Sequence, residues 1–147
     1  SAVRGDTKAT ITFTPPSDNG GVSIDHYVVT IQPGGQTVTT SSSTVEITGL
    51  TNGTLYTFTV AAVNGVGTGS ASAGATARPA GTPTAPIVVG GLPANNSAVI
   101  DFSGATGNGA PILSYTVTVV ETGDTVLEHL HQSRFTDLRM ELRTHLQ

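Results

Sequence analysis

Glu128, His129 and His131 fall close together near the end of this 147-residue sequence. In an extended stretch, residues two apart share a face, so His129 and His131 could meet a metal from one side. Zinc sites take three or four well-placed protein ligands, and this cluster supplies no clear fourth. The simpler reading is a polar segment, and no metal or other cofactor is expected. His26 precedes Tyr27 in an alternating run and is expected on a solvated sheet face. A serine–histidine–aspartate set cannot be assembled, because serine is dispersed and the remaining histidines lie in the last stretch. Glycoside hydrolysis needs two carboxylates about 5 to 9.5 Å apart in a cleft, and the acids here are scattered over turns. Asp18, Asp101 and Asp124 do not have the spacing of a calcium loop. Arg4-Gly5-Asp6 places a guanidinium and a carboxylate on either side of a glycine, within an ordinary Gly-Asp turn pair. Asn52-Gly53-Thr54 and Asn95-Asn96-Ser97 match the glycosylation sequon, and both also read as turns. No set of residues points to catalysis, so the chain is expected not to be an enzyme.

Composition narrows the partners. Lys and Arg total 6 against 10 Asp and Glu, a net charge of −4, which argues against a nucleic-acid footprint of clustered cations. No apolar run approaches the roughly 20 residues of a spanning helix, so membrane insertion is not expected. The absence of cysteine removes disulfide staples, cysteine–zinc sites and thiol catalysis. No basic-then-apolar leader precedes Ser1, so a signal peptide is expected to be cleaved or to lie outside the sequence. The 18 glycines and 8 prolines, with abundant Thr, Ser and Val, predict many short strands and turns.

The elements that must position any site are organised around Gly49 to Gly69, GLTNGTLYTFTVAAVNGVGTG. Tyr56, Phe58, Val60 and Ala62 alternate with Thr57, Thr59 and Ala61, the pattern of a strand with one buried face. Before it, KATITFT (8–14) alternates with Ile11 and Phe13 inward. The turn cluster from Pro15 to Gly21 then stops any ladder, since proline has no N–H to donate. IDHYVVTIQ (24–32) puts Tyr27, Val29 and Ile31 inward. Pro33-Gly34-Gly35 turns the chain into a short strand at 36–40, and Val45-Glu46-Ile47 makes another. Ser70 to Ala77 reads as a weak edge strand.

In order, TFTPPSDNGG, IDHYVVTI, VEITGLTNGTLYTFTVAAVN and GTGSASAGATARP resemble a fibronectin type III domain. The resemblance covers residues 8–79 and implies an all-β, immunoglobulin-like sandwich. The Gly49-Leu50 pair and Tyr56 match that family's corner between strands E and F. Phe13 stands where the family usually carries tryptophan on strand B. Almost no sequence remains for strand A, so residues 1–7 are expected to be a ragged edge.

After Arg78 to Ala85, read as a linker over 80–85, the pattern restarts. Pro86 to Val89 matches the strand A that the first repeat lacks. SAVIDF matches ATITF, with Ile100 on Ile11 and Phe102 on Phe13. ILSYTVTV matches IDHYVVTI, with Tyr115 on Tyr27 and Val117 on Val29. The offset of about 88 residues fits one sandwich domain of roughly 100 residues. The expected division is therefore a first domain at 1–79, a partial second one at 86–126, and an atypical tail at 127–147. The tail, LEHLHQSRFTDLRMELRTHLQ, lacks glycine and proline, and Phe135, Leu138, Leu142 and Leu146 recur at three or four residues. Two accounts follow: sequence foreign to the domain, which the abrupt change of composition favours, or a C-terminal helix. A half-repeat rarely gathers more than ~3–5 kcal/mol from one core without staples, so residues 82–147 are expected to be less ordered than 8–79.

The resemblance implies a non-catalytic spacer in a larger extracellular or cell-surface protein, of bacterial type given the Thr-rich sequence, with neighbouring domains as its partners. Its alternative is an adhesion module or a carbohydrate- or protein-binding one, using loops or a sheet face. In fibronectin an Arg-Gly-Asp tripeptide recognises integrins from the loop between strands F and G. Arg4, Gly5 and Asp6 stand before strand B instead. The open edges of two incomplete repeats also allow a strand-exchanged homodimer.

Overall fold

Alternation of small or branched apolar residues with threonine builds the first strands. The structure is a computed structural model that describes residues 1–94, 97–118, 125–129 and 138–143. It divides into two compact units, Ser1–Gly81 and Thr82–Gln147. In the first unit β1 (Ala2–Gly5), β2 (Lys8–Thr12), β3 (Ile24–Gln32), β4 (Gln36–Thr40) and β5 (Thr44–Thr48) are followed by β6 (Tyr56–Asn64), β7 (Gly67–Thr68) and β8 (Ala75–Ala77). One sheet has the order β1-β2-β5. The other runs β4-β3-β6-β7, with β8 also pairing β6. All pairs are antiparallel.

The two sheets close on a single apolar interior. Ala9, Ile11, Ile47 and Leu50 come from one side, and Tyr27, Val29, Ile31, Phe58, Val60 and Ala77 from the other. Phe13 packs against this cluster, its ring 4.8 Å from that of Tyr27 at 62°. Burying a side chain such as Ile11 or Phe58 contributes about 1.5–3 kcal/mol. Alternation along β3 decides what enters: Tyr27, Val29 and Ile31 are buried while His26, Val28 and Thr30 between them are not. His26 therefore takes the outer face, as its place in the sequence indicates.

Two expectations for this unit are corrected. Strand A is present, because Ala2–Gly5 pairs with β2 from Ala2↔Ile11 to Gly5↔Lys8. It is short because Asp6-Thr7 must reverse the chain at once, and Ser1 fastens its start through two bonds with Thr12. The last strand is not continuous over 70–77. Only Ala75–Ala77 forms a ladder, and β7 pairs earlier on β6. Between them the Ser72 hydroxyl takes the Val60 N–H at 3.1 Å, so a side chain replaces a backbone acceptor along that edge.

The second unit holds β9 (Ile87–Ala94), β10 (Ser97–Ser103), β11 (Ser114–Thr118), β12 (Thr125–His129) and β13 (Leu138–Arg143). One sheet is β13-β10-β9 and the other β11-β12. Among the described residues Phe102 and Tyr115 are its buried pair, joined by Ile100, Ala105, Ile112 and Val117.

The helical expectation for the tail is corrected where the tail is described, because Leu138–Arg143 is a strand on β10. Leu138 and Leu142 are four apart, a spacing that fits a helix turn and also two strand repeats. LRMELR alternates strictly between apolar and charged residues, which is period two. Pairing Ile100↔Met140 and Ala98↔Leu142 mirrors Ile11↔Val45 and Ala9↔Ile47 in the first unit. Val117↔Val126 and Tyr115↔Glu128 likewise mirror Val29↔Val38 and Tyr27↔Thr40. Part of the tail thus takes the positions that β4 and β5 hold in the first unit. Val119, Asp124, His131, Phe135 and Leu146 lie outside the described residues.

Candidate functional site

Two clusters of polar residues lie at the two ends of the first sandwich. At one end the β1–β2 turn meets the corner between β5 and β6. Thr7 sits at φ 54°, where β-branched residues are rarely found. Its N–H donates to Asn52 Oδ1 at 2.9 Å, and its carbonyl accepts the Leu50 N–H at 2.9 Å. Asn52 Nδ2 donates to Asp6 Oδ1 at 2.7 Å. The Thr51 N–H donates to the Tyr56 hydroxyl at 3.1 Å, closing the corner on itself. The Gly53 N–H donates to the Pro79 carbonyl, the Arg78 guanidinium donates to the Gly53 carbonyl, and the Ala80 N–H donates to the Gly5 carbonyl.

This network places the Arg-Gly-Asp tripeptide. Arg4 and Gly5 belong to the β1–β2 ladder, opposite Ala9 and Lys8. A methyl added at Gly5 would come within 2.8 Å of Lys8 Cγ, so a larger residue there would have to displace the Lys8 side chain. Asp6 is exposed, and its carboxylate is engaged by Asn52. The tripeptide therefore lies along a strand end and its turn. Asn52 of the first sequon is held from both sides of its amide, while Asn95 and Asn96 of the second lie outside the described residues.

At the other end the β2–β3 loop meets the β6–β7 turn around an open groove of about 570 Å³, bordered by Asn19, Ile24, Asn64, Val66 and Ser70. Asn64 staples the two loops. Its Nδ2 donates to the Asn19 carbonyl at 2.9 Å, and its Oδ1 accepts the N–H groups of Val66 at 3.0 Å and Gly67 at 3.2 Å. Asp18 and Asn19 each cap a neighbouring glycine N–H, at 2.8 and 3.0 Å. Asp18 is the groove's single carboxylate, so it forms no acid–base pair. Val66 is 81% exposed at the tip.

Among the described residues no three His, Asp or Glu gather as metal ligands, and no buried polar or charged side chain is present. Glu128 and His129 lie on β12, opposite Tyr115 and Ser114. Lys8 is held above its ordinary value by a hydrogen bond and by the charge of Glu46, 2.8 Å away across β2 and β5. That pair is exposed and braces the sheet. Neither Asn64 nor Asn52 stood out as a staple in the sequence. Their only local signal is an Asn-Gly pair at a strand end, which every turn of this kind shares.

Residues 1–78 match the family model described as the fibronectin type III domain. Among solved structures, a two-domain fibronectin type III segment from chicken tenascin aligns with a TM-score of 0.50 and 17% identity, over 95% of this chain and 79% of that one. The sixth fibronectin type III domain of human fibronectin type III domain containing protein 3 aligns at 0.47 and 24%, over 58% of this chain and 86% of that one. The FN1-FN3 domains of chicken CNTN1 align at 0.44 and 18%, over 96% of this chain and 52% of that one. No curated protein matches the chain. The tenascin likeness concerns the fold alone.

Proposed function

The chain belongs to the fibronectin type III family, and from that premise we propose that it is a non-catalytic spacer within a larger extracellular or cell-surface protein of bacterial type. Domains of this family are typically structural or binding modules of multidomain proteins, and typically non-catalytic. The observation that carries the spacer reading is the use made of the polar side chains. Asp6, Asn52, Arg78 and Asn64 tie one segment to another at both ends of the first sandwich, and Tyr56 closes the β5–β6 corner on itself. A body stapled at both ends transmits force and keeps a fixed length, and its partners are then the neighbouring domains. We assign these modules to residues 1–79 and 86–126, joined by 80–85, with the second extended by the remainder of β12 and by β13.

The groove beside Asn64 favours a second reading, a binding module for a protein or glycan at the loop end. Its border carries asparagine, serine and an exposed valine and no aromatic residue, which suits a peptide better than a sugar stacked on a ring. The Asp6–Asn52 bond weighs toward structural use of Arg4, Gly5 and Asp6 over adhesion. A pull-down and a glycan array with the full chain separate the readings. The spacer reading expects no selective ligand, and selective micromolar binding that Asn64→Ala abolishes would establish the binder in its place.

A further inference from the structure

We propose that Asn19 is a site of spontaneous covalent modification. Its side-chain amide closes onto the Gly20 nitrogen to form a succinimide, which water opens to aspartate or isoaspartate, with Asp18 as the base. Selectivity among like pairs carries the inference. The chain has four Asn-Gly pairs, beginning at Asn19, Asn52, Asn64 and Asn108. In three of them the amide nitrogen that has to leave is held by a distant segment. Asn52 Nδ2 donates to Asp6 Oδ1 at 2.7 Å, Asn64 Nδ2 to the Asn19 carbonyl at 2.9 Å, and Asn108 Nδ2 to the Thr82 carbonyl at 3.2 Å. Each amide must break that bond before it can turn onto the next residue. The Gly53 nitrogen is tied as well, since its N–H donates to the Pro79 carbonyl at 2.9 Å.

Asn19 is arranged differently. Its side chain is engaged only locally, where Oδ1 accepts the Gly21 N–H at 3.0 Å. Of the four pairs, this is the one in which both residues are exposed. Outside residues 19–21 no heavy atom lies within 4 Å of where a Cβ on Gly20 would stand, so the flank of the attacking nitrogen is open. The Gly20 N–H donates to Asp18 Oδ1 at 2.8 Å. A backbone carbonyl such as that of Pro79 holds its N–H in place, whereas a carboxylate can take the proton as a general base. The Gly21 N–H already points at the amide oxygen on which negative charge develops during attack. Base, nucleophile and oxyanion donor thus surround one amide.

The step balances with water as its only co-reactant. The bond from the Gly20 nitrogen to Asn19 Cγ forms and the Cγ–Nδ2 bond breaks. The proton taken by Asp18 passes to Nδ2, which leaves as ammonia. Water then adds to either imide carbonyl. Addition at Cγ gives aspartate, and addition at the main-chain carbonyl gives isoaspartate. Either product puts a second carboxylate beside Asp18 on the border of the groove. In isoaspartate the main chain runs through Cβ and Cγ, and the carbonyl that accepts from Asn64 becomes part of a free carboxylate. The modification therefore acts on the staple between the β2–β3 loop and the β6–β7 turn.

The test is incubation of the full chain at neutral pH and physiological temperature, with peptide mapping by mass spectrometry over a time course. Aspartate and isoaspartate peptides are separated by their retention. A parallel sample in urea reports the four pairs without the fold. In the native chain Asn19 should convert about tenfold or more faster than Asn52, Asn64 and Asn108, each restrained by its hydrogen bond. In urea the four should convert at comparable rates. Asp18→Asn keeps an acceptor for the Gly20 N–H and removes the base, and should slow conversion at Asn19 about tenfold or more. Comparable rates at all four pairs of the native chain, earlier conversion at another pair, or a rate at Asn19 unchanged by Asp18→Asn would overturn the proposal.

Discussion

The rings of Phe102 and Tyr115 meet at 5.1 Å and 60°. They repeat the contact of Phe13 with Tyr27, at 4.8 Å and 62°, one repeat earlier in the chain. Phe13 directly follows β2 and Phe102 lies on β10, and in each unit the other ring comes from the facing sheet, from β3 or β11. What differs is the cover. The first pair belongs to a cluster in which Tyr27 and nine other side chains are buried, whereas among the described residues of the second unit Phe102 and Tyr115 are themselves the buried cluster.

That difference gives Phe102→Ala a selective effect. Removing a core phenylalanine costs about 3–5 kcal/mol, comparable to the ~3–5 kcal/mol that a core of this size supplies. The second unit should unfold while the first keeps its native signals, read residue by residue in an NMR spectrum. Loss of both sets of signals together would show that the units fold as one.

Hydrogen exchange should rank the two units. The amides shared by β3 and β6 sit behind Val29, Phe58 and Val60, all buried. They should exchange only through global opening of the first unit, and amides of β10 and β11 through easier, more local openings. Equal protection in both units would refute the lesser order assigned to 82–147.

Tyr56→Phe isolates the corner. The Thr51 N–H loses its acceptor at 3.1 Å, and nothing else about the ring changes. The first unit should lose about 1 kcal/mol in urea unfolding. Tyr115→Phe should act likewise on the second unit, where the Ala105 N–H donates to the Tyr115 hydroxyl at 3.0 Å.

Asp6→Asn separates structure from adhesion. An asparagine at this position still accepts from Asn52 Nδ2, so the turn should hold and the unfolding midpoint should barely move. Asp6→Ala removes the acceptor and should cost about 0.5–1.5 kcal/mol. Cells should spread equally poorly on surfaces coated with either variant or with the natural chain. Spreading that the natural chain supports and Asp6→Asn abolishes would make Arg4, Gly5 and Asp6 an adhesion site.

Lys8 sets an alkaline limit. Hydrogen bonding to Glu46, and then its charge, raise the Lys8 ammonium above 10.5 in the folded state. A raised value means that the favourable contribution is complete below the unfolded value and fades as pH climbs through the folded one. This pair should therefore leave stability flat between pH 7 and about 10. Added salt should weaken it, since both groups are exposed. Unfolding midpoints of the natural chain and of Lys8→Met, compared across that range, measure the effect.

The first sandwich was legible because period two is a local property. Tyr27, Val29, Ile31, Phe58 and Val60 alternate with polar or small neighbours, and one buried face requires no more than that. The repeat was legible for the same reason, since Ile100, Phe102, Tyr115 and Val117 return at the spacing of the first unit. Leu138 and Leu142 were not, because residues four apart satisfy both periods, and only pairing with β10 selects the strand. Strand A was missed because four residues carry too little pattern to show alternation, and its evidence is the ladder to β2.

The sequence by itself determined which side chains face the interior, since that depends only on each residue's neighbours along the chain. Tertiary structure alone decided what the polar residues do. Asn52 reaches Asp6, 46 positions away in the chain, and Asn64 reaches the carbonyl of Asn19, 45 away. Such bonds exist only once the sheets have brought distant loops together. No local spacing encodes them, because the distance they close is set by the packing of everything in between.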